Sequence, residues 1–475
     1  MKILYVTSEA SPYAASGGLG DVLGALPAVV SDMDCSLDAA VILPLYKCVR
    51  ERFSNLLSHV TDLSFNLSWR STGASVYSIN ANGVTYYFVE NNYYFNRSSL
   101  YGEHDDAERF AFFSLSVVEF IKSMSDKPDI LHANDWQSAM SIVYLKTIYG
   151  TNAALSKIKT VYTIHNIEYQ GKYDPYILGD IFGLENSYLP IMCESGAINL
   201  MKAAMLLADK VTTVSPNYAC ELQHDFFSFG LSDTVRRVSH KLVGIINGID
   251  YDYFSPDKGG DIAFKYTKRT VRAGKAKNKA DLLEELSLPS DSNRPLIVMI
   301  TRLAEQKGID LVIHIIDELL QEDVNFVILG TGQKAYEDVL KSKEKENPNL
   351  RVLLCFDRAL SKRLYASADM FLMPSKSEPC GLAQMIACSY GTVPIVRSVG
   401  GLCDTIIPYG NEYSNGFRFD NYNAHDLLFT IKSAIEVYSN ADKWHELRKR
   451  CVNSNFSWER SAANYIKVYK DLLSE

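Results

Sequence analysis

Ser375-Lys-Ser-Glu-Pro-Cys-Gly-Leu-Ala-Gln384 follows the short apolar run Met370-Phe-Leu-Met373. The run reads as a buried strand of a parallel sheet. Pro374 ends it, Glu378-Pro-Cys-Gly381 forms the turn, and a helix-like run follows through Leu382-Ala-Gln-Met-Ile-Ala387. A carboxylate therefore stands at the carboxyl end of a strand, with a helix N-terminus opening beside it. Open α/β sheets bind ligands at that edge, and helix N-termini attract phosphate.

The same grammar extends in both directions. Downstream, Val393-Pro-Ile-Val396 is a strand followed by Gly400-Gly401, and Asn415-Gly-Phe-Arg-Phe419 reads as an edge strand. Helices are expected from Ala424 and from Trp458. Upstream, strands are expected at 295–300, 325–329 and 351–355, with a helix over 310–320. The first half repeats the pattern. Strands fall at 2–7, 41–45, 86–90, 129–132, 159–164, 210–214 and 243–246, and an amphipathic helix covers 108–124. Repeated β-α alternation implies parallel sheets with right-handed crossovers. The polar, basic segment 257–279 is the best linker candidate, and its charges read as a solvated surface.

Length and composition bound the rest. A chain of 475 residues has room for two or three domains. Its 47% hydrophobic and 22% charged residues are ordinary for a globular protein. A net charge of -8 argues against a nucleic-acid or anionic-membrane partner, so an anionic ligand needs a local basic cluster. The nine cysteines show no CxxC pair and no regular spacing, which points to reduced thiols in a cytoplasmic protein rather than a zinc site. No segment approaches the roughly 20 apolar residues that span a bilayer.

Polar groups gather at strand ends. Arg302 and Lys307 share the loop after 295–300, a planar fork and a point charge suited to phosphate oxygens. Their alternative is a pair of surface salt bridges. His165-Asn166 ends the strand 159–164, and Asp135 follows the strand 129–132. Gly17-Gly18-Leu19-Gly20-Asp21 leads from a loop into a helix; glycine pairs at tight turns are more often structural than functional. No Walker-A sequence and no GxGxxG after the first strand are present. A diphosphate held by Arg302 and Lys307, with Glu378 and His165 nearby, suggests group transfer from a nucleotide diphosphate.

At this point the chain resembles the bacterial glycogen synthases and plant starch synthases, from residue 1 to about residue 472. The resemblance is carried in order by Ser16-Gly-Gly-Leu-Gly-Asp-Val22, His132-Ala-Asn-Asp-Trp-Gln137, Tyr162-Thr-Ile-His-Asn-Ile-Glu-Tyr-Gln-Gly171 and Asn247-Gly-Ile-Asp250. It continues through Thr301-Arg-Leu-Ala-Glu-Gln-Lys-Gly308, Pro374-Ser-Lys-Ser-Glu-Pro-Cys-Gly-Leu382, Gly400-Gly-Leu-Cys-Asp-Thr405 and Phe456-Ser-Trp-Glu-Arg460.

The resemblance implies a GT-B fold: α/β, two Rossmann-like domains with parallel sheets facing across a deep cleft. Residues 1–250 would form the acceptor-side domain, completed by a C-terminal helix over 457–475, and residues 251–456 the nucleotide-sugar domain. It implies a retaining transfer of glucose from ADP-glucose to the non-reducing end of an α-1,4-glucan, with no metal or other cofactor. Catalysis would fall to His165, Glu378, Arg302 and Lys307. Donor contacts would come from Gly18, Asp21, Asn247, Phe356, Cys380, Gly381 and Leu382 as well as from those cations and Glu378. Acceptor contacts would come from Asp135, Asn166, Tyr169 and Gln170. Cys380 would face the cleft, leaving the other eight cysteines as buried filler.

Three positions depart from the family pattern. Ala15-Ser16 stands where Lys-Thr or Lys-Val is common, so one phosphate-facing cation is missing. Ala383 replaces a frequent Thr and Phe356 a frequent Tyr, whereas Ile386, where the wider retaining group often has a second glutamate, is as expected of bacterial glycogen synthases. These departures keep two alternatives in view: a UDP-glucose-using or broader retaining glycosyltransferase, and a non-catalytic glucan- or nucleotide-sugar-binding protein.

Overall fold

The computed structural model describes residues 1–291 and 293–474. The chain divides into two compact units, Met1–Asn247 with Trp458–Glu475, and Gly248–Ser457. The helix expected over 457–475 runs Trp458–Ser474, and Glu475 lies outside the described residues.

The second unit is built on a six-stranded parallel sheet. Its spatial order is Leu350–Leu353, Asn325–Leu329, Leu296–Ile300, Met370–Met373, Val393–Arg397, Phe417–Phe419. In order of appearance within the unit this is 3-2-1-4-5-6, the doubly wound arrangement. The inner strands are apolar on both faces because helices cover both, so each reads as a mainly apolar run. Strand order reverses between Leu296–Ile300 and Met370–Met373. The loops leaving that pair carry Arg302 and Lys307 on one side and Ser375 to Gly381 on the other.

Segment 257–279 is not a linker. Residues Val271–Glu285 form a helix, and Lys275, Asn278 and Lys279 on it are buried. Lys275 Nζ donates to the carbonyls of Tyr365 and Ala366 and to Thr392 Oγ1. Lys279 Nζ lies 2.7 Å from Asp369, which also accepts from Arg448 at 3.0 Å. Two of the segment's lysines, Lys275 and Lys279, are the polar fastening of this helix, while Lys258, Lys265, Lys268, Arg269, Arg272 and Lys277 are exposed, as a solvated run requires. The neighbouring cations hold the Asp369 carboxyl below its usual range even though burial pushes it up.

The first unit has a nine-stranded sheet. Its parallel part runs Leu242–Gly244, Lys210–Thr213, Lys159–Ile164, Ile130–Asn134, Lys2–Val6, Asp38–Pro44, Val84–Glu90. Two antiparallel strands absent from the sequence reading, Arg70–Ala81 and Ser58–Leu67, complete it. They are the outermost strands of one edge, largely solvated and rich in Ser, Thr and Gly, so no apolar run marks them. The turn between Ala81 and Val84 does carry a signal: Asn82 and Gly83 both have positive φ, +51° and +74°, the pattern of a tight hairpin. Here the order reverses between Lys2–Val6 and Ile130–Asn134. The last helix belongs to this unit, with Tyr469 Oη 2.8 Å from His132 Nδ1 and 2.9 Å from Tyr5 Oη. Among the described residues no helix is long and apolar enough to cross a membrane.

Candidate functional site

In the second unit, three strand-end loops converge on one carboxylate. Glu378 is 7% exposed, and its Oε2 lies 2.6 Å from Lys307 Nζ and 3.0 Å from Ser375 Oγ. Its backbone carbonyl accepts from Gly401 N at 3.2 Å. Gly400, with φ +46°, passes so close that a Cβ there would stand 1.9 Å from Glu378 O. Gly308, with φ +75°, passes Pro374 the same way, a Cβ there standing 2.2 Å from its carbonyl. Only glycine permits these approaches, so both side loops press on the turn that presents Glu378. Arg302 is exposed, with a long contact of 3.5 Å from Nη2 to Gln306 Oε1. The arrangement is one carboxylate neutralised by one lysine, with a guanidinium nearby in the same loop. It can bind an anion without a large electrostatic penalty.

Gly381 and Leu382 follow directly, Gly381 O accepting from Gln384 Nε2. Phe356 is 85% exposed at the end of another strand, with the Arg358 guanidinium 6.0 Å over its ring. Cys380 is buried at 5% exposure. The expectation that it is the accessible thiol among eight buried ones is overturned, since Cys35, Cys220 and Cys355 are exposed. The turn folds the Cys380 side chain inward, and Gly401 packs against its backbone, where a Cβ would stand 2.2 Å from Cys380 O.

In the first unit, parallel register places Asn134 beside Thr163, so Asp135 and His165 leave adjacent strands at one level. Asp135 Oδ1 accepts from His165 N at 2.8 Å. Asp135 has φ +56°, a left-handed conformation that costs about 1–3 kcal/mol for a residue other than glycine. Asn134 Nδ2 donates to the carbonyls of Val6 and His132, which turns its Oδ1 toward His165 Nε2 at 2.9 Å. An amide oxygen only accepts, so Nε2 carries the proton and Nδ1 keeps its lone pair. Burial pushes the His165 imidazolium down to about 3, and the ring is neutral at physiological pH.

Burial pushes the Asp135 carboxyl up to about 7, against the pull of the His165 and Asn166 N–H donors. A carboxyl raised by folding stabilises most below its unfolded pKa, about 4, and loses that contribution as pH rises through about 7. Wild type should therefore lose stability relative to Asp135→Asn as pH rises from about 5 to 8. Denaturant midpoints for the two proteins that stay parallel over that range would contradict it.

Asn166 and Tyr169 stand on the same turn, with Tyr169 52% exposed. Gln170, expected to meet the acceptor, turns inward instead. It is 3% exposed, its Nε2 donates to Ile167 O and Phe229 O, and its Oε1 accepts from Asn199. Asn247 is also buried, and its Oδ1 has no hydrogen-bond partner among the described residues. Gly18 and Asp21 lie exposed in the first turn of the helix Gly18–Met33.

Sequence reasoning passed over Glu9. It is 3% exposed and accepts from Ser16 Oγ at 2.7 Å, from Gly17 N at 3.2 Å, and from Ser16 N and Tyr101 Oη. Its carboxylate shapes the glycine turn from inside. An acid two residues past a strand at the order reversal was the available signal.

Residues 2–237 match the family described as starch synthase catalytic domain, and residues 284–457 match glycosyl transferases group 1. The chain is 43% identical over 480 residues to the glycogen synthase of Clostridium novyi (strain NT), covering 100% of this chain and 99% of that one. It is 41% identical over 482 residues to the glycogen synthase of Clostridioides difficile (strain 630), covering 99% and 100%. The chain belongs to the glycogen and starch synthase family. Among solved structures it is similar to the catalytic domain of starch synthase IV from Arabidopsis thaliana bound to ADP and acarbose. That likeness has TM-score 0.90 and 31% identity, and covers 100% of this chain and 99% of that one. The two α/β units are thus those of the GT-B class expected for glycogen and starch synthases. Family membership makes the chain a hexosyltransferase of the glycogen synthase kind.

Proposed function

We propose that this glycogen and starch synthase family member transfers glucose from ADP-glucose to the non-reducing end of an α-1,4-glucan, with retention at the anomeric carbon. The observation that carries the reading is the Lys307–Glu378 pair at the order reversal of the second sheet, with Arg302 in the same loop. The starch synthase IV catalytic domain holds ADP and acarbose, a nucleotide and a glucan-like sugar, which supports the same substrate classes here.

In this reading Arg302 and Lys307 bind the donor diphosphate and stabilise the charge that grows on it as the glucosyl bond breaks. The helix Ile309–Gln321 begins directly after this loop and adds its positive end. Glu378, released from Lys307 as the phosphate takes over that cation, accepts from donor-sugar hydroxyls. Phe356 offers a face for adenine, and the family resemblance assigns donor contacts to Gly18 and Asp21 as well. His165 Nδ1, with its lone pair, accepts from a sugar hydroxyl, while Asp135, Asn166 and Tyr169 serve the glucan. No metal is required in this scheme, because two protein cations supply the charge a divalent ion would bring. A cytoplasmic setting is part of the proposal, supported by nine free cysteines of which three are exposed.

The position that departs most from the family bears on the donor. Ala15 is exposed beside the turn that Glu9 shapes. Restoring a cation with Ala15→Lys should lower the donor KM about threefold to tenfold, the scale of one charge-assisted contact to phosphate. Nucleotide release with a glycogen primer, comparing ADP-glucose and UDP-glucose at equal concentration, tests both points. Wild type should favour ADP-glucose strongly. Preference for UDP-glucose would overturn the donor assignment, and an unchanged KM in Ala15→Lys would overturn the role given to that position.

A further inference from the structure

Tyr422 lies between the edge strand Phe417–Phe419 and the helix Ala424–Tyr438. It is fixed from behind, because Asn423 Oδ1 caps that helix by accepting from His425 N and Asp426 N. Its hydroxyl reaches across to the first loop of the sheet, donating to Asp310 Oδ1 at 2.5 Å and lying 3.2 Å from Glu305 O. Its ring carries the Lys376 ammonium at 5.6 Å and the Arg397 guanidinium at 5.3 Å. Lys376 belongs to the next loop along, and Arg397 ends the strand Val393–Arg397. Lys376 Nζ pairs with Glu305 at 2.6 Å and its backbone N–H donates to Gln306 O at 2.8 Å. Arg397 Nη1 donates to Lys376 O at 2.8 Å. One side chain thus ties together the loop and helix start that follow Leu296–Ile300, the loop that follows Met370–Met373, and the end of the strand Val393–Arg397.

We propose that Tyr422 is a positioning residue: it holds the loop bearing Arg302 and Lys307 against the loop bearing Glu378, and thereby sets the affinity for the donor's diphosphate. The inference rests on the donor assignment made above. The reason is geometric. Glu305 and Asp310 bracket Lys307 in sequence, and Lys376 lies two residues from Glu378. Anchoring Glu305, Asp310 and Lys376 on one ring fixes the separation of the phosphate cation from the sugar carboxylate. Burial, and then the Asp310 hydrogen bond, push the Tyr422 phenol up, so the hydroxyl remains a donor across the working pH range.

The test is ADP binding by calorimetry, with steady-state kinetics for donor and glucan, in Tyr422→Leu and Tyr422→Phe. Tyr422→Leu removes both hydrogen bonds and the ring; it should raise the ADP Kd and the donor KM about tenfold. Tyr422→Phe keeps the ring and should raise them about threefold. The glucan KM should stay within about twofold in both, a split that general loosening of the fold would not produce. If Tyr422→Leu does not fold, Tyr422→Phe and Asp310→Asn decide, since Asp310→Asn weakens the same link and should shift the ADP Kd in the same direction. An ADP Kd unmoved in folded variants, or donor and glucan KM rising together, overturns the inference alone. Wild-type protein that does not bind ADP overturns the donor assignment and this inference with it.

Discussion

Glu378→Gln should lower kcat by about 10²–10³-fold and leave a folded protein. The carboxylate sits where three loops meet, and its charge is balanced only by Lys307 among the contacts described for it. Glutamine keeps an oxygen for Ser375 Oγ and for Lys307 Nζ, so stability should change by only about 1 kcal/mol. What glutamine lacks is negative charge facing the donor sugar as positive charge develops there. A loss confined to KM would mean that Glu378 only binds. Turnover within about fivefold of wild type would remove it from the chemistry altogether.

Lys307→Met should be at least as severe, lowering kcat/KM for ADP-glucose by about 10³-fold. Two effects combine in it. The diphosphate loses a cation, and Glu378 is left buried with no lysine to neutralise it. The second effect makes the two positions strongly coupled. In the double variant Lys307→Met with Glu378→Gln, the orphaned charge is gone, so the combined loss should fall well short of the product of the single losses. Measuring kcat/KM for wild type, both single variants and the double variant closes the cycle. Strictly additive effects would show that the 2.6 Å contact between them has no functional weight.

Much of this was legible in the sequence, and the reasons are specific. The strands of the second sheet are buried on both faces, so runs such as 296–300 and 326–329 are apolar without interruption. The polar residues that follow them then stand out as strand-end groups, which is how Arg302, Lys307 and Glu378 are found; His165 is found the same way after Lys159–Ile164 in the first sheet. The outer hairpin Ser58–Leu67 and Arg70–Ala81 escaped because a largely solvated edge needs little apolar alternation. The helix Val271–Glu285 escaped for the opposite reason. Its buried face is partly lysine and asparagine, satisfied by carbonyls and Asp369, and such partners are remote in sequence.

The same limit governs the individual site residues. Nothing local distinguishes Gln170, whose amide is spent on Ile167, Phe229 and Asn199, from Tyr169 beside it, which is exposed. The family resemblance places Cys380 on the cleft, yet its turn packs against Gly401 and buries it. Glu9 and Tyr422 act through hydrogen bonds spanning seven to more than a hundred residues, which spacing alone cannot reveal.

The most direct measurement is transfer of labelled glucose from ADP-glucose to a maltooligosaccharide of defined length, with analysis of the product. The product should be longer by glucose units, and an exo-acting α-1,4-glucan hydrolase working from the non-reducing end should release the label first. Release of ADP without elongation, label at the reducing end, or a linkage resistant to that hydrolase would contradict the proposed reaction.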